Sequence, residues 1–273
     1  MDLFQFIEED KQDNIVQIFL PSPTAETDVP VHVARSGVFK SDIDGLDRVD
    51  NIVVSRNDTD VYLYTGHILS QDEADILLSV LLIMQNSDND TDGAIDELGR
   101  YKISKTAFLA KLGKGWTNTG QNHLRLEKAL NRLALGQFRT ESVDHSSQEE
   151  KRSKPMQMFS YEMHKDHLLL WIPVESMKLF EETGALSWSK RQLIESRSKL
   201  AKTLQLYMSG FPDQKHKQIT LKELSVIAGV KSPERKFAVA LEKAFNELKR
   251  VDVIDSYLIG KTNEIWVCSW TAN

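Results

Sequence analysis

The segment LEKALNRL at residues 126–133 returns as LEKAFNEL at 241–248, with six of eight positions identical and starts 115 residues apart. The likeness extends upstream. ISKTAFLAKLG at 103–113 aligns with ITLKELSVIAG at 219–229. Each opens on Ile and a hydroxyl residue, carries an apolar residue five places after the Ile (Phe108, Leu224) and ends in Gly (Gly113, Gly229). From that Gly to the repeated Leu is 13 residues in the first copy and 12 in the second. Two matching segments at nearly constant spacing point to two copies of one supersecondary unit, in tandem rather than as a solenoid.

The second copy can be read locally. Thr220 with Glu223 three residues on forms a capping box. Leu221, Leu224, Ile227 and Ala228 give the short helix its inner face. Gly229 permits a left-handed turn. Ser232-Pro233 predicts an N-cap and a first helical residue. Phe237, Leu241, Ala244, Phe245 and Leu248 then recur at helical spacing, leaving Arg235, Lys236, Val239, Glu242, Lys243 and Asn246 outside. VDVIDSYLIGKTNEIWVCSW reads as two strands around the turn GKTN.

The first copy follows suit, with a helix near 105–112, the turn GKGWTNTG and a helix near 120–133. Strands are expected at GQFRTES, MQMFSYEM and HLLLWIPV, with a polar wing loop, VDHSSQEEKRSK, between the first two. Helix, turn, helix and hairpin predict an α+β chain of two tandem winged-helix domains behind a flexible N-terminal tail. The tail is expected over 1–30, the first domain over 31–175 and the second over 176–273. Residues 185–211 read as one long amphipathic helix opening the second domain. Leu193, Leu200, Leu204 and Tyr207 are expected inside, and Lys190, Arg191, Arg197, Lys199 and Lys202 mostly outside.

The formal charge of −6 conceals an asymmetry. Residues 1–100 hold 6 Lys and Arg against 21 Asp and Glu, whereas 101–273 hold 28 against 19. A basic two-thirds behind an acidic third suggests a polyanion partner. The lone Cys268 excludes an intrachain disulfide framework and fits a reducing compartment, so a cytoplasmic location is expected. The acidic N-terminus is unlike a secretory signal, and the longest apolar run, ILLSVLLIM at 76–84, falls short of a membrane span. No phosphate-cradling glycine loop and no acid–base constellation is visible, so neither catalysis nor a cofactor is expected. DNDTDGAIDELG at 88–99 imitates a calcium loop but has Gly99 where the bidentate Glu belongs. His164 and His167 lack a third metal ligand in view.

A helix-turn-helix lays its second helix in the major groove. The first copy offers Lys114, Thr117, Asn118, Thr119, Gln121, Asn122, Arg125 and Lys128. The second offers Lys231, Ser232, Arg235, Lys236 and Lys243, and the wings add Lys151, Arg152, Lys154 and Lys261. Asn and Gln suit adenine edges, Arg suits guanine, and Lys and Thr hold phosphates. The alternative is that these are ordinary solvated faces, since winged helices also serve in protein assembly.

Several segments together resemble the TrfA-type plasmid replication initiators. They are ARSGVFK at 34–40, LYTGHILSQDEADILLSVL at 63–81, LGKGW before LEKALNRL, and LSVIAG before RKFAVALEKAFNEL. The resemblance runs from about residue 17 to 260, and departs from the family by a Lys-Gly insertion in the L-G-W turn and a longer acidic loop at 87–97. It implies a noncatalytic protein that binds directly repeated double-stranded origin sites, opens adjacent DNA and recruits the host initiator and replicative helicase. It also implies a monomer–homodimer balance that brakes copy number. QIFLP at 17–21 looks like a sliding-clamp docking peptide. Gln17 would bond at the rim, Ile18 and Leu20 would enter an apolar groove, and Pro21 would close the motif. A short strand packed on the first domain is the alternative there. For the whole chain, a repressor on an operator palindrome is the second reading and an assembly module without DNA the third.

Overall fold

The computed structural model describes residues 26–41, 47–56, 60–86, 92–113, 115–143, 150–212, 214, 216–262 and 265–272. The chain begins with β1 (Glu26–Pro30), α1 (Val31–Arg35), β2 (Phe39–Lys40), β3 (Arg48–Arg56), β4 (Asp60–His67), β5 (Leu69–Ser70) and α2 (Gln71–Gln85). The first copy follows as β6 (Gly93–Ile95), β7 (Tyr101–Ser104), α3 (Lys105–Leu112), α4 (Gly120–Ala134), β8 (Gln137–Val143), β9 (Glu150–Arg152), β10 (Met156–Gln157), β11 (Ser160–Met163) and β12 (His167–Trp171). A 3-10 helix (Val174–Phe180), β13 (Thr183–Ser187), α5 (Trp188–Leu193) and α6 (Lys199–Ser209) lead to the second copy. That copy comprises β14 (His216–Thr220), α7 (Leu221–Ala228), α8 (Glu234–Arg250), β15 (Ile254–Thr262) and β16 (Ile265–Ala272). The architecture is α+β.

The repeated octapeptide is repeated because of what it buries. Leu126, Ala129, Leu130 and Leu133 of α4 are buried, and so are Leu241, Ala244, Phe245 and Leu248 of α8, at the same four positions. The shared Asn has a matching partner in each copy. The Tyr161 hydroxyl of β11 donates to Asn131 Oδ1 at 2.7 Å, and the Tyr257 hydroxyl of β15 donates to Asn246 Oδ1 at 2.8 Å. The upstream helices share their ends too. Ser104 and Thr220 accept from the amides of Ala107 and Glu223, and Gly113 and Gly229 take φ of +80° and +73°. The strand before each short helix pairs with the last strand of its copy, Ile103 opposite Leu168 and Ile219 opposite Cys268. The sheets run β11-β12-β7-β6 and β14-β16-β15, so the order β11-β12-β7 of the first copy matches β15-β16-β14 of the second, and β6 adds an edge strand to the first.

The structure corrects several sequence expectations. β8 and β9, the strands on either side of residues 144–149, do not form the hairpin of the first copy. β8, β9 and β10 are inserted between α4 and β11 and join β4 and β3 in a separate sheet, β10-β8-β4-β3. The hairpin equivalent to β15–β16 is β11–β12, turning at residues 164–166, where His164 and His167 stack with centroids 4.4 Å apart. MQMFSYEM is two short strands, parted by the buried Met158 and Phe159. Helix α8 starts at Glu234 with Pro233 at its N-cap, so Ser232 lies outside it and makes no capping bond.

The expected helix over 185–211 is β13 followed by two helices. Ile194, at extended ψ of 128°, leaves α5 and inserts into a core. The break reverses two assignments: Leu193 is 63% exposed and Arg191 is fully buried. The expected division at 175/176 falls inside the first core, which includes Leu179, Phe180, Leu186 and Trp188. The second core begins at Ile194. Helix α6 serves both, with Leu206 in the first and Ala201, Leu204 and Tyr207 in the second.

Two outcomes test this account. Tyr161→Phe and Tyr257→Phe should each lower unfolding stability by about 1 kcal/mol, and no loss in either would remove the paired bond as the reason for the repeated Asn. His32 stacks on Tyr62 at 3.5 Å, and burial lowers its pKa from 6.5 to about 4. The unfolded chain therefore takes up this proton first, so the stability contributed by neutral His32 is full above pH 6.5 and lost as pH falls toward about 4. His32→Asn should flatten that part of the stability–pH curve.

Candidate nucleic-acid interface

The two turns preceding α4 and α8 present different surfaces. In the first, most candidate side chains are engaged in building the turn. Thr119 caps α4 by accepting from the Asn122 amide at 3.3 Å. The Asn122 Nδ2 donates to Thr117 O at 2.9 Å and Thr117 Oγ1 at 3.1 Å. Asn118 Oδ1 lies 2.7 Å from His123 Nε2. Trp116 is buried beneath, and the guanidinium of Arg125 stacks over its ring at 4.0 Å while pairing with Asp72. Arg125 is thus turned toward α2 rather than offered to a guanine edge. Gly115, just before the buried Trp116, takes φ +93°, a conformation open to glycine. Lys114 lies outside the described residues. Gln121 and Lys128 are exposed and have no side-chain partner among the described residues.

The second turn differs. Lys231, Ser232, Arg235, Lys236 and Lys243 are all exposed. Arg235, Lys236 and Lys243 have no side-chain partner among the described residues, and Val239, 53% exposed, lies among them on the outer face of α8. Lys261 is exposed near the end of β15. The second copy thus exposes cations on a helix, on its preceding turn and on its hairpin, the element types that suit a groove and its flanking phosphates.

The remaining wing candidates sit elsewhere. Lys151, whose backbone pairs with Ser142, and Arg152 and Lys154 belong to or follow β9, on the sheet built with β3, β4 and β8. Arg152 pairs with Glu141 at 2.9 Å. Gln17, Ile18, Leu20 and Pro21 lie outside the described residues.

Sequence reasoning missed the role of QDEAD at 71–75. Ser70 and Glu73 form a capping box at the start of α2. From that turn, Asp72 pairs with Arg125, Glu73 with Arg132, and Asp75 with two cations: Arg191 Nε at 2.6 Å and Lys202 Nζ at 2.6 Å. Arg191 also donates to Gln71 Oε1 at 2.8 Å and to the Lys202 carbonyl at 2.9 Å. The signal was present as three carboxylates in one helical turn. Their partners were hidden because these lie 53 to 127 residues away.

The segment ARSGVFK was likewise unassigned. It forms a seam with the second unit. Arg35 donates to the Gly210 carbonyl and lies over the Phe211 ring at 4.5 Å. Gly37, at φ +61°, lets the chain pass so close that an added Cβ would lie 3.2 Å from Ile227 Cα. Lys40 Nζ donates to Val226 O at 3.2 Å, and Ser41 donates to Ala228 O through its amide (3.0 Å) and hydroxyl (2.8 Å). A Cβ on Gly184 would collide with the Ser209 carbonyl, so β13 also passes close to the end of α6.

The fold is similar to a crystal structure of the selenomethionine derivative of domains 2 and 3 of RctB. The TM-score is 0.51 and the identity 10%, covering 89% of this chain and 98% of that one. A second crystal structure of RctB domains 2 and 3 has a TM-score of 0.48 and 11% identity over 88% of this chain and 97% of that one. No family model and no curated protein matches the sequence. Among the described residues, no helix is long and apolar enough to cross a membrane.

Removing one partner of the buried cluster tests its weight. Arg191→Met should cost about 3 kcal/mol in chemical denaturation, and Arg191→Lys should recover little because an ammonium cannot reproduce the planar fork. Full recovery by Lys would show that charge alone is needed there.

Proposed function

We propose that the chain is a sequence-specific DNA-binding initiator of plasmid replication, built from two winged-helix domains that divide between Trp188 and Ile194. The observation that carries this reading is the exposed basic face of α8 and its preceding turn, set on the second copy of a strand–helix–turn–helix–hairpin unit. The fold shared with RctB domains 2 and 3 supports the tandem architecture. The resemblance of ARSGVFK, LYTGHILSQDEAD and LGKGW to plasmid initiators supports the choice of initiation over repression.

The mechanism is binding without catalysis or cofactor. Arg235 and Lys236 enter a major groove with the first turn of α8, while Lys231 and Lys261 hold flanking phosphates. The first unit contributes a lighter contact through Gln121, Lys128 and Lys114. Together they recognise one direct repeat as a monomer, and a homodimer withdraws the chain from the origin. The N-terminal Gln17–Pro21 peptide docks on the host sliding clamp, and host initiator and helicase join at the opened DNA in the bacterial cytoplasm.

Selection from a random duplex library at stated salt, with stoichiometry, tests the reading. An asymmetric site of about two helical turns bound by one chain is expected. A palindrome bound only by two chains would favour repression, and no enrichment would refute DNA recognition. Within an enriched site, Arg235→Ala should cost about 1–3 kcal/mol and relax base preference, whereas Lys261→Ala should weaken all duplexes alike and lower the salt slope by about 1. Equal losses for Arg235→Ala on specific and random duplex would remove its base contact.

A further inference from the structure

The seam segment Ala34–Ser41 belongs to neither helix-turn-helix, yet its polar groups go to carbonyls at the ends of two helices of the second unit. Arg35 reaches the Gly210 carbonyl at the C-cap of α6. Lys40 and Ser41 reach Val226 O and Ala228 O in the last turn of α7. Carbonyls at a helix C-terminus lack partners within the helix and carry partial negative charge, so cationic and hydroxyl donors bind them well. These contacts span 175 to 187 residues of sequence, so they fix a tertiary arrangement and not a local turn. The end of α7 is also where the turn to α8 begins. Holding it sets where Lys231 and the first turn of α8 point.

We propose that Ala34–Ser41 is a positioning element that clamps α6 and α7, holds α8 in one orientation to the first unit, and so sets which separation of two DNA half-sites one chain accepts. The inference rests on the DNA-binding reading above. Two recognition helices on a loose tether would accept a range of separations, because the second binding event depends only on effective concentration. Two helices on a fixed seam accept one separation and reject others. A competing role for Lys40 is direct phosphate contact, since its ammonium sits at the end of α7, just before the turn that carries Lys231 begins.

The test uses the full chain and a series of duplexes in which the two halves of the selected site are moved apart by one to about five base pairs, half a helical turn. Lys40→Met with Ser41→Ala, and Ser41→Ala alone, are compared with wild type. Each lost bond should weaken discrimination between the preferred and the half-turn-shifted duplex roughly fivefold. Affinity for a single half-site should be unchanged, and Ser41→Thr should restore discrimination. A uniform loss on every spacing with a lower salt slope would make Lys40 a phosphate contact and overturn the positioning role.

A DNA-free measurement separates the two ideas. Spin labels at Glu127→Cys on α4 and Glu242→Cys on α8 occupy exposed positions, while the native Cys268 is buried. Wild type should show one narrow distance distribution and the double variant a broadened one. An unchanged distribution would overturn the clamp and leave DNA binding intact. Absence of duplex binding by wild type would overturn the spacing role together with the DNA reading.

Discussion

The Asp75 carboxylate is the point at which the two halves of this protein are tied. It is nearly buried and accepts from Arg191 and Lys202, which come from two helices beyond the first repeat. A buried charge is tolerated only where partners satisfy it, so α2, α5 and α6 have to meet in one arrangement. Helix α6 then contributes to both hydrophobic cores. With that joint made, ARSGVFK can lie against the ends of α6 and α7, and the second repeat takes a defined place beside the first.

These ion pairs change the meaning of the charge asymmetry. The acidic first third does not simply stand apart from a basic remainder. Asp72, Glu73 and Asp75 draw Arg125, Arg132, Arg191 and Lys202 inward. On α8 and its turn, by contrast, Lys231, Arg235, Lys236 and Lys243 stay exposed. The two repeats therefore share a scaffold and differ in surface. The first is buttressed by α2 and has its turn side chains tied up, whereas the second keeps its cations exposed.

The helix pair of both repeats and the hairpin of the second were legible because they rest on short-range chemistry. Apolar residues at helical spacing, hydroxyl caps and glycine at helix ends act within a few residues, and every predicted inner position of α8 is buried. The β8–β10 insertion was not legible, because strand pairing with β4 is chosen by residues some 75 positions earlier. Neither was the burial of Arg191. Its side chain looks solvated on a helical wheel, and only the distant Gln71 and Asp75 make its interior position stable. Sequence pattern also identified Asn246 as outward, without the Tyr257 hydroxyl that covers it.

Local chemistry along the chain thus determined that one helix pair is built twice, how the short helices α3 and α7 are capped, and which faces of α4 and α8 are apolar. Those properties follow from backbone geometry and from the 3.6-residue period, which need no distant partner. Assembly chose which cations face solvent, which hairpin follows α4 and how the second repeat is aimed. Those depend on buried charges and helix-end carbonyls finding partners more than 50 residues away, which periodicity does not encode.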